Sequence, residues 1–89
     1  DIYYILNDAN ITRGTIIKAN PITLNILLYI PTLRENYIHR QNFDFKIEQI
    51  FLYRKNDEDY LVVTKIYNLN NIIHNLIYIR LSDNNINIG

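Results

Sequence analysis

The stretch from Phe43 to Leu81 constrains the fold most, because it predicts three successive β-strands. In its first part, apolar residues recur at every second position, as strand side chains that share one face do. The residues on that face are Phe43, Phe45, Ile47, Gln49, Phe51 and Tyr53. Five polar residues, Lys55 to Asp59, then interrupt the pattern and predict a hairpin turn.

Two further strands follow this turn. Tyr60 to Tyr67 is β-branched and aromatic almost throughout, which predicts a central strand. Asn68 to Asn71 and His74-Asn75 tolerate turn conformations and end that strand. Leu76 to Leu81 is apolar again and predicts the third strand. The three strands together are expected to form an antiparallel meander.

The residues before this stretch predict a strand and a short helix. Thr23 to Ile30 alternates Leu and Ile with other residues, which indicates a strand with one face in the core. Thr32 and Glu35 then have the spacing of a capping box, so a helix is expected to start there and to end at Gln41-Asn42. Leu33, Tyr37 and Ile38 would form its apolar stripe.

Residues 1–21 are expected to be an arm or an edge-strand segment. Ile2 to Leu6 is a short apolar run, Arg13-Gly14 predicts a turn, and Thr15 to Lys18 predicts a short strand. The first residue is Asp, which indicates processing or a longer parent chain, and nothing at the start resembles a signal peptide. The whole chain, 1–89, is therefore predicted to be a single α+β domain in which one short helix packs on one face of a mostly antiparallel sheet.

Composition narrows the function classes. Ile occurs 18 times and Asn 14 times, against two each of Ala, Gly and Pro, which indicates an AT-rich coding genome. Only four Lys accompany them and the formal net charge is zero, so a nucleic-acid partner is not expected. No Cys is present, which excludes disulfides and thiolate metal sites. No apolar run approaches the length of a membrane-spanning helix.

The residues that could carry chemistry are few. His39 and His74 have no acidic residue at a metal-type spacing, and Glu35 with His39 is more simply an exposed helical pair. Asp57-Glu58-Asp59 lies in a turn open to water, where no strong pKa shift is expected. We therefore predict no catalytic, cofactor-binding or metal site, and no enzymatic activity of the chain by itself.

A basic sheet surface is an alternative reading of the same strands. Tyr53 and Tyr78 are interleaved with basic residues, as on sheets that stack single-stranded bases. The basic residues are Arg34, Arg40, Arg54, Lys55 and Arg80. This hypothesis requires the arginines to converge on one face, although nearby acidic residues cancel their charge.

Eight tyrosines form the most suggestive feature of the sequence. Tyr combines an apolar ring with a hydroxyl group that can stay solvated, and this combination suits protein interfaces. Codon composition and ordinary strand preference explain the same excess. The predicted interface residues are Tyr53, Tyr60, Tyr67, Tyr78, Tyr3 and Tyr4.

The meander also resembles a known family. Its order of strand, helix and three strands is similar to the amino-terminal α+β domain of the thirty-kilodalton subunit of respiratory complex I (NADH:ubiquinone oxidoreductase). The similar segments, within residues 22–89, are Phe45-Lys46-Ile47, Asp57-Glu58-Asp59-Tyr60, Val63-Thr64-Lys65-Ile66-Tyr67-Asn68-Leu69 and Ile77-Tyr78-Ile79-Arg80-Leu81. The family's acidic and aromatic segment downstream of the last strand has no counterpart here.

This resemblance implies a mitochondrial, non-catalytic subunit that packs against other protein subunits and holds no redox centre. The first hypothesis is accordingly that the chain is a structural or accessory subunit of a larger assembly. The specific assembly expected is the peripheral arm of complex I. The alternative is a small protein-binding module of a virus or an AT-rich microbe that acts through a sheet face or edge.

Overall fold

The computed structural model describes residues 2–10, 12–65, 76–83 and 86. In these residues, six strands form two antiparallel three-stranded sheets, accompanied by short helices, and the predicted α+β class is confirmed. The first sheet contains β1 (Ile2–Asn7), β2 (Gly14–Ala19) and β3 (Arg40–Phe43), and the second contains β4 (Ile47–Lys55), β5 (Glu58–Lys65) and β6 (Leu76–Arg80), each in that order. The helices are α1 (Pro21–Tyr29), α2 (Pro31–Glu35) and a 3-10 turn at Leu81–Asp83.

The predicted meander is the second sheet, with β5 in its centre. Its first strand begins at Ile47, whereas the sequence predicted a start at Phe43, which instead ends β3 in the other sheet. The turn is also shorter than the five residues predicted. Lys55 already pairs with Glu58, and Asn56 and Asp57 between them have φ angles of 53° and 62°. Positive φ at both central residues is typical of a type I′ hairpin, which Asn and Asp tolerate well. Residues 66–75, on which the second predicted turn falls, lie outside the described residues.

The predicted strand over Thr23 to Ile30 is wrong, because Thr23 to Tyr29 belong to α1 and Ile30 is its C-cap. Asn20 caps this helix: its side-chain Oδ1 accepts a hydrogen bond of 2.7 Å from the Thr23 amide. Pro21 follows at the first helical position, where its fixed φ suits a helix and its missing amide costs nothing. Leu and Ile at alternate positions fit a strand, but they also fit a helix that is apolar on every side.

The second helix is shorter than predicted and lacks the capping box. Ile30 is its N-cap, no side chain caps it, and Thr32 lies inside the helix. It ends at Glu35, well before Gln41. The expected apolar stripe is not buried as a unit, since Leu33 and Ile38 are exposed. Tyr37 is partly buried, and its hydroxyl donates a 2.7 Å hydrogen bond to the Lys18 carbonyl.

The amino-terminal residues form a hairpin rather than an arm. β1 is an edge of the first sheet, as one of the two predicted alternatives has it. Gly14 is not a turn residue but begins β2, and the turn precedes it, closed by a 3.0 Å hydrogen bond from the Asp8 amide to the Arg13 carbonyl. The Asp8 carboxylate accepts further bonds from the Thr12 and Arg13 amides and from the Thr12 hydroxyl. These bonds, led by the one from Arg13, lower the pKa of Asp8.

The sheets and helices form three layers around β2. Ile16 and Ile17 are adjacent in β2 and therefore point to opposite sides, yet both are fully buried. Ile16 packs in a core between the two sheets, whose other buried members are Ile47, Leu61, Val63, Leu81 and Ile86. α1 lies against β2 and buries Leu27, so it covers the first sheet and not the meander.

The Asn7 side chain makes a polar contact between the two sheets. The Asn7 side chain at the end of β1 donates a 3.0 Å hydrogen bond to the Ile47 carbonyl and accepts another of 3.0 Å from the Ile47 amide. Ile47 lies beside an irregularity where Glu48 is an extra residue in β4 relative to β5. The Asn7 amide therefore occupies both main-chain groups at the start of β4.

No helix among the described residues is long and apolar enough to span a bilayer.

Candidate functional site: an aromatic sheet face

Strand register gathers aromatic side chains on the outer face of the second sheet. Tyr53 pairs with Tyr60, Phe51 pairs with Val62, and Val62 pairs in turn with Tyr78. Paired residues of an antiparallel sheet point to the same side, so these side chains share one face. We call this surface the aromatic face; it comprises Phe51, Tyr53, Tyr60, Val62, Leu76 and Tyr78. The opposite face carries Leu61 and Val63, which belong to the core.

On the aromatic face, half-exposed side chains surround a buried one. Val62, in the central strand, has 0% exposed surface. Around it, the exposed fractions are 43% for Phe51, 44% for Tyr53, 47% for Leu76 and 56% for Tyr78. Large apolar residues that lie together and stay half exposed are typical of surfaces that bind other proteins.

The rings on this face contact one another. The centroid of the Tyr53 ring lies 6.4 Å from that of Tyr60 and 6.3 Å from that of Tyr78, with interplanar angles of 45° and 67°. Since Tyr53 is in β4 and Tyr78 in β6, their contact crosses the central strand. The Tyr53–Tyr78 pair is edge-on and the Tyr53–Tyr60 pair is tilted. Aromatic pairs contribute about 0.5–1.5 kcal/mol beyond their area burial. The rings therefore have a defined arrangement before any partner binds.

A salt bridge lies at one end of the aromatic face. The Arg80 guanidinium donates two hydrogen bonds, of 3.0 and 2.9 Å, to the Glu58 carboxylate, and it lies 3.6 Å from Asp83. The hydrogen bond from Arg80 lowers the pKa of Glu58, and the pKa of Arg80 is raised for the same reason. A fork-to-fork pair of this geometry holds β6 against the hairpin and gives the face a polar rim.

We expect Arg80→Met to raise the pKa of Glu58 towards the ordinary value of a Glu carboxyl group. In the native protein Arg80 favours the charged carboxylate, so the folded-state pKa lies below that of the unfolded chain. The stabilisation is complete above the unfolded-state pKa and is lost as the pH falls through the folded-state pKa. Titration of Glu58 by carboxyl-detected NMR measures the shift, and thermal unfolding as a function of pH measures its consequence.

Arg54→Met is the matched control for this prediction. Arg54 lies in the same hairpin, but its guanidinium is 3.9 Å from Asp59 and faces the other side of the sheet. Its removal is expected to leave the titration of Glu58 unchanged. Equal shifts in the two variants would show that general charge, and not the bidentate pair, sets the pKa of Glu58.

The structure separates the six tyrosines predicted to form an interface. Tyr53, Tyr60 and Tyr78 lie together on the aromatic face. Tyr3 packs against the core between the sheets, where burial and then the Asp59 charge raise its pKa, and Lys18 Nζ lies 5.6 Å from its ring centroid. Tyr4 points to the opposite side of β1 from Tyr3. Tyr67 is outside the described residues.

The other candidate residues do not assemble a reactive site in the part of the chain that is described. His39 makes an edge-on ring contact with Tyr37, at 5.6 Å between centroids, and His74 lies outside the described residues. Of the acidic turn, Asp57 occupies the hairpin tip, Glu58 pairs with Arg80 and Asp59 faces Arg54. Among residues 2–10, 12–65, 76–83 and 86, no three His, Asp or Glu side chains lie close enough to hold a metal ion.

The arginines do not converge on one face, as the basic-surface hypothesis requires. Arg34 and Arg40 line an open groove beside the first sheet, together with Arg13 and several acidic residues. Arg54 and Arg80 are in the second sheet, on opposite faces, because Arg54 pairs with Asp59 and Arg80 with Tyr60. This arrangement does not form a continuous basic surface.

Sequence reasoning missed three members of the aromatic face: Phe51, Val62 and Leu76. A two-residue turn at Asn56-Asp57, if recognised, would have placed Phe51 opposite Val62 by counting back along the hairpin. A second exposed apolar surface was also missed, because α1 was predicted as a strand. Its exposed apolar side chains are Ile22, Ile26, Leu28 and Tyr29.

Comparison with known proteins identified no relative of this chain. No protein-family model matches the chain, and neither a curated protein nor a solved structure is significantly similar to it.

Proposed function

We propose that this chain is a non-catalytic accessory component of a larger protein assembly and that it docks a partner protein on the aromatic face. The observation that carries the proposal is the group of half-exposed aromatic and aliphatic side chains around the buried Val62. A preorganised aromatic surface with a charged rim suits a protein partner, since such surfaces supply the residues that dominate binding energy at interfaces.

The particular assembly that the family resemblance implies, the peripheral arm of respiratory complex I, stays a prediction, as does a mitochondrial location. A free-standing binding module of a virus or an AT-rich microbe would use the same face. The two hypotheses differ in what accompanies the native protein: a fixed set of subunits in the first, and a separable target in the second.

The test compares two pairs of substitutions that remove the same side chains from different surfaces. Leu76→Ala with Tyr78→Ala alters the aromatic face, and Leu28→Ala with Tyr29→Ala alters the exposed surface of α1. We expect the first pair to weaken recovery of co-purifying proteins by about 30-fold or more, as loss of an interface hot spot does. Quantitative mass spectrometry of tagged protein, purified from its native source, measures the recovery.

The control pair in α1 is expected to retain its partners, and circular dichroism must show both variants folded. Loss of partners in the α1 pair alone would move the docking surface to that helix and overturn the proposal. Recovery of respiratory subunits by the native protein would support the specific assembly, whereas a single unrelated target would support the free-standing module.

A further inference from the structure

The open groove beside the first sheet contains two arginines whose charges no described residue neutralises. Arg34 in α2 and Arg40 in β3 both line it. Both residues are partly buried, and neither guanidinium group makes an ion pair or a hydrogen bond within the described part of the chain. A cation that loses part of its hydration without gaining a partner is unfavourable. An anion bound in the groove would compensate for this loss.

Strand register places a further hydrogen-bond donor on the same side of the sheet as Arg40. Arg40 pairs with Ile17 and Asn42 pairs with Thr15, so these side chains lie opposite the core between the two sheets. The Asn42 side-chain Oδ1 accepts a hydrogen bond of 3.0 Å from the Thr15 hydroxyl, which leaves its Nδ2 group as a donor for a ligand. Asn42 also lines the groove. Two guanidinium groups and one amide therefore border the same space.

The acidic residues of the groove do not pair with these arginines. Asp8, Glu35 and Asp44 also line it. The Asp8 carboxylate already accepts three hydrogen bonds within its own turn, from Thr12 and Arg13. Glu35 and Asp44 are exposed, so they keep their hydration, and within the described ranges no ion pair joins either of them to an arginine. The charged groups that lack both water and a partner are therefore the cations.

The groove also has an apolar part. Leu6 in β1 pairs with Thr15, so its side chain lies on the same side of the sheet as that of Ile17, and both residues line the groove. Pro31, at the start of α2, lines it too. The groove has a volume of about 810 Å³, within the range of about 300–1,000 Å³ that is typical of small-molecule sites. This lining suits an organic molecule that carries an anionic group.

We propose that this groove binds a small organic phosphate. Its phosphate group accepts hydrogen bonds from Arg34, Arg40 and Asn42, and its apolar part lies against Leu6 and Ile17. A phosphate monoester carries about −1.5 to −2 charges at pH 7 and has three acceptor oxygens, which match two cations and three donor groups. A carboxylate carries one charge and neutralises the two arginines less completely. The site goes beyond the proposed function, because it uses no residue of the aromatic face.

The first test follows the amide NMR signals of the isotope-labelled protein while small probes are added at constant ionic strength. We expect phenyl phosphate to shift the signals of Arg40, Asn42 and α2, with a dissociation constant of about 1 mM or lower. Inorganic phosphate should bind more weakly because it lacks an apolar part. Benzoate, which has the same ring with a carboxylate, should also bind more weakly. The signals of the aromatic face should not move with any probe.

The second test removes single charges. Arg34→Gln and Arg40→Gln should each raise the dissociation constant for phenyl phosphate about tenfold or more, since each removes a charge-assisted hydrogen bond. Arg54→Gln is the matched control, because it removes the same charge from the second sheet, and it should leave the affinity unchanged. Glu35→Gln should lower the dissociation constant, because it removes a negative charge that repels the phosphate. Opposite effects of the Arg34 and Glu35 variants would show that the sign of the charge in the groove determines binding.

Several results would overturn the phosphate site. These are phenyl phosphate that moves no groove signal well above the expected dissociation constant, equal losses of affinity in Arg40→Gln and Arg54→Gln, and benzoate that binds as tightly as phenyl phosphate. The last result would assign the groove to a carboxylate ligand instead. Arg40 lies within a strand, whereas Arg34 lies in a short helix. Arg34→Gln therefore decides the question if Arg40→Gln does not fold.

Discussion

Ile16→Ala is expected to lower the free energy of unfolding by about 2–5 kcal/mol, the range for truncating a buried Ile to Ala. Ile16 has no exposed surface and packs in the core between the two sheets. Its removal leaves a cavity that neighbouring strands, held by their ladders, cannot close. Since small domains have only about 5–15 kcal/mol of total stability, this is a large share. Chemical denaturation measures the change.

Ile26→Ala is the control for this substitution. Ile26 loses the same atoms, but it lies on α1 and is half exposed. We expect a change within about 0.5 kcal/mol, typical of surface positions. If Ile16→Ala does not fold, Ile16→Val should still fold and cost about 0.5–1.5 kcal/mol. An Ile16→Ala variant as stable as Ile26→Ala would place the main core elsewhere.

Gly14→Ala is expected to destabilise the protein by about 1–3 kcal/mol, as overpacking does. An added Cβ would lie 2.7 Å from both Cγ1 and Cδ1 of Ile47, and 2.9 Å from Oδ1 of Asn7. The φ angle of Gly14 is not positive, so space and not backbone conformation requires Gly at this position. In an open strand the same change would instead stabilise by about 0.5–1 kcal/mol.

A double-mutant cycle separates this clash from other effects of Gly14→Ala. Ile47→Val removes Cδ1, one of the two Ile47 atoms that the new methyl group would meet. The two substitutions together should therefore cost less than the sum of the single costs, with a coupling of at least about 0.5 kcal/mol. Denaturation of the four proteins gives this coupling. Additive costs would contradict the close approach of β2 to Ile47.

The meander was predictable because the residues that determine its strands and turns lie next to one another in the sequence. β5 combines β-branched and aromatic residues between polar breaks, and only a packed central strand suits that composition. The boundary between β3 and β4 was not predictable, because the residues around Phe43 continue the alternation into β4. What separates the strands is a contact with Asn7, 40 residues earlier in the chain.

The helix α1 was missed because periodicity was weighed above local end signals. Leu and Ile at alternate positions over Thr23 to Ile30 are compatible with a strand and with an all-apolar helix. Asn20 followed by Pro21 is incompatible with the interior of a strand. The same dipeptide is also a helix N-cap followed by the residue most suited to the first helical position.

The candidate site could be predicted in part. Tyr53, Tyr60 and Tyr78 come from strands that the sequence identified, and the structure brings them together. Tyr3 and Tyr4 could not both have joined them on one surface, since neighbours in a strand point to opposite sides. That conclusion follows from the sequence alone. The sequence does not predict which layer buries Tyr3, because that depends on how the two sheets stack.

The contact between Asn7 and Ile47 determines how the two layers are aligned. Apolar surfaces attract without direction, so a core of Ile, Leu and Val permits one sheet to slide or rotate over the other. Two hydrogen bonds with fixed geometry at one corner oppose this sliding, because both depend on the position of Asn7 relative to Ile47. At the other end of β4, near Arg54, residues of both sheets, among them Tyr3 and Leu52, line an open cleft. The layers are therefore joined by directional hydrogen bonds at the start of β4, whereas an open cleft lies between them near the hairpin tip.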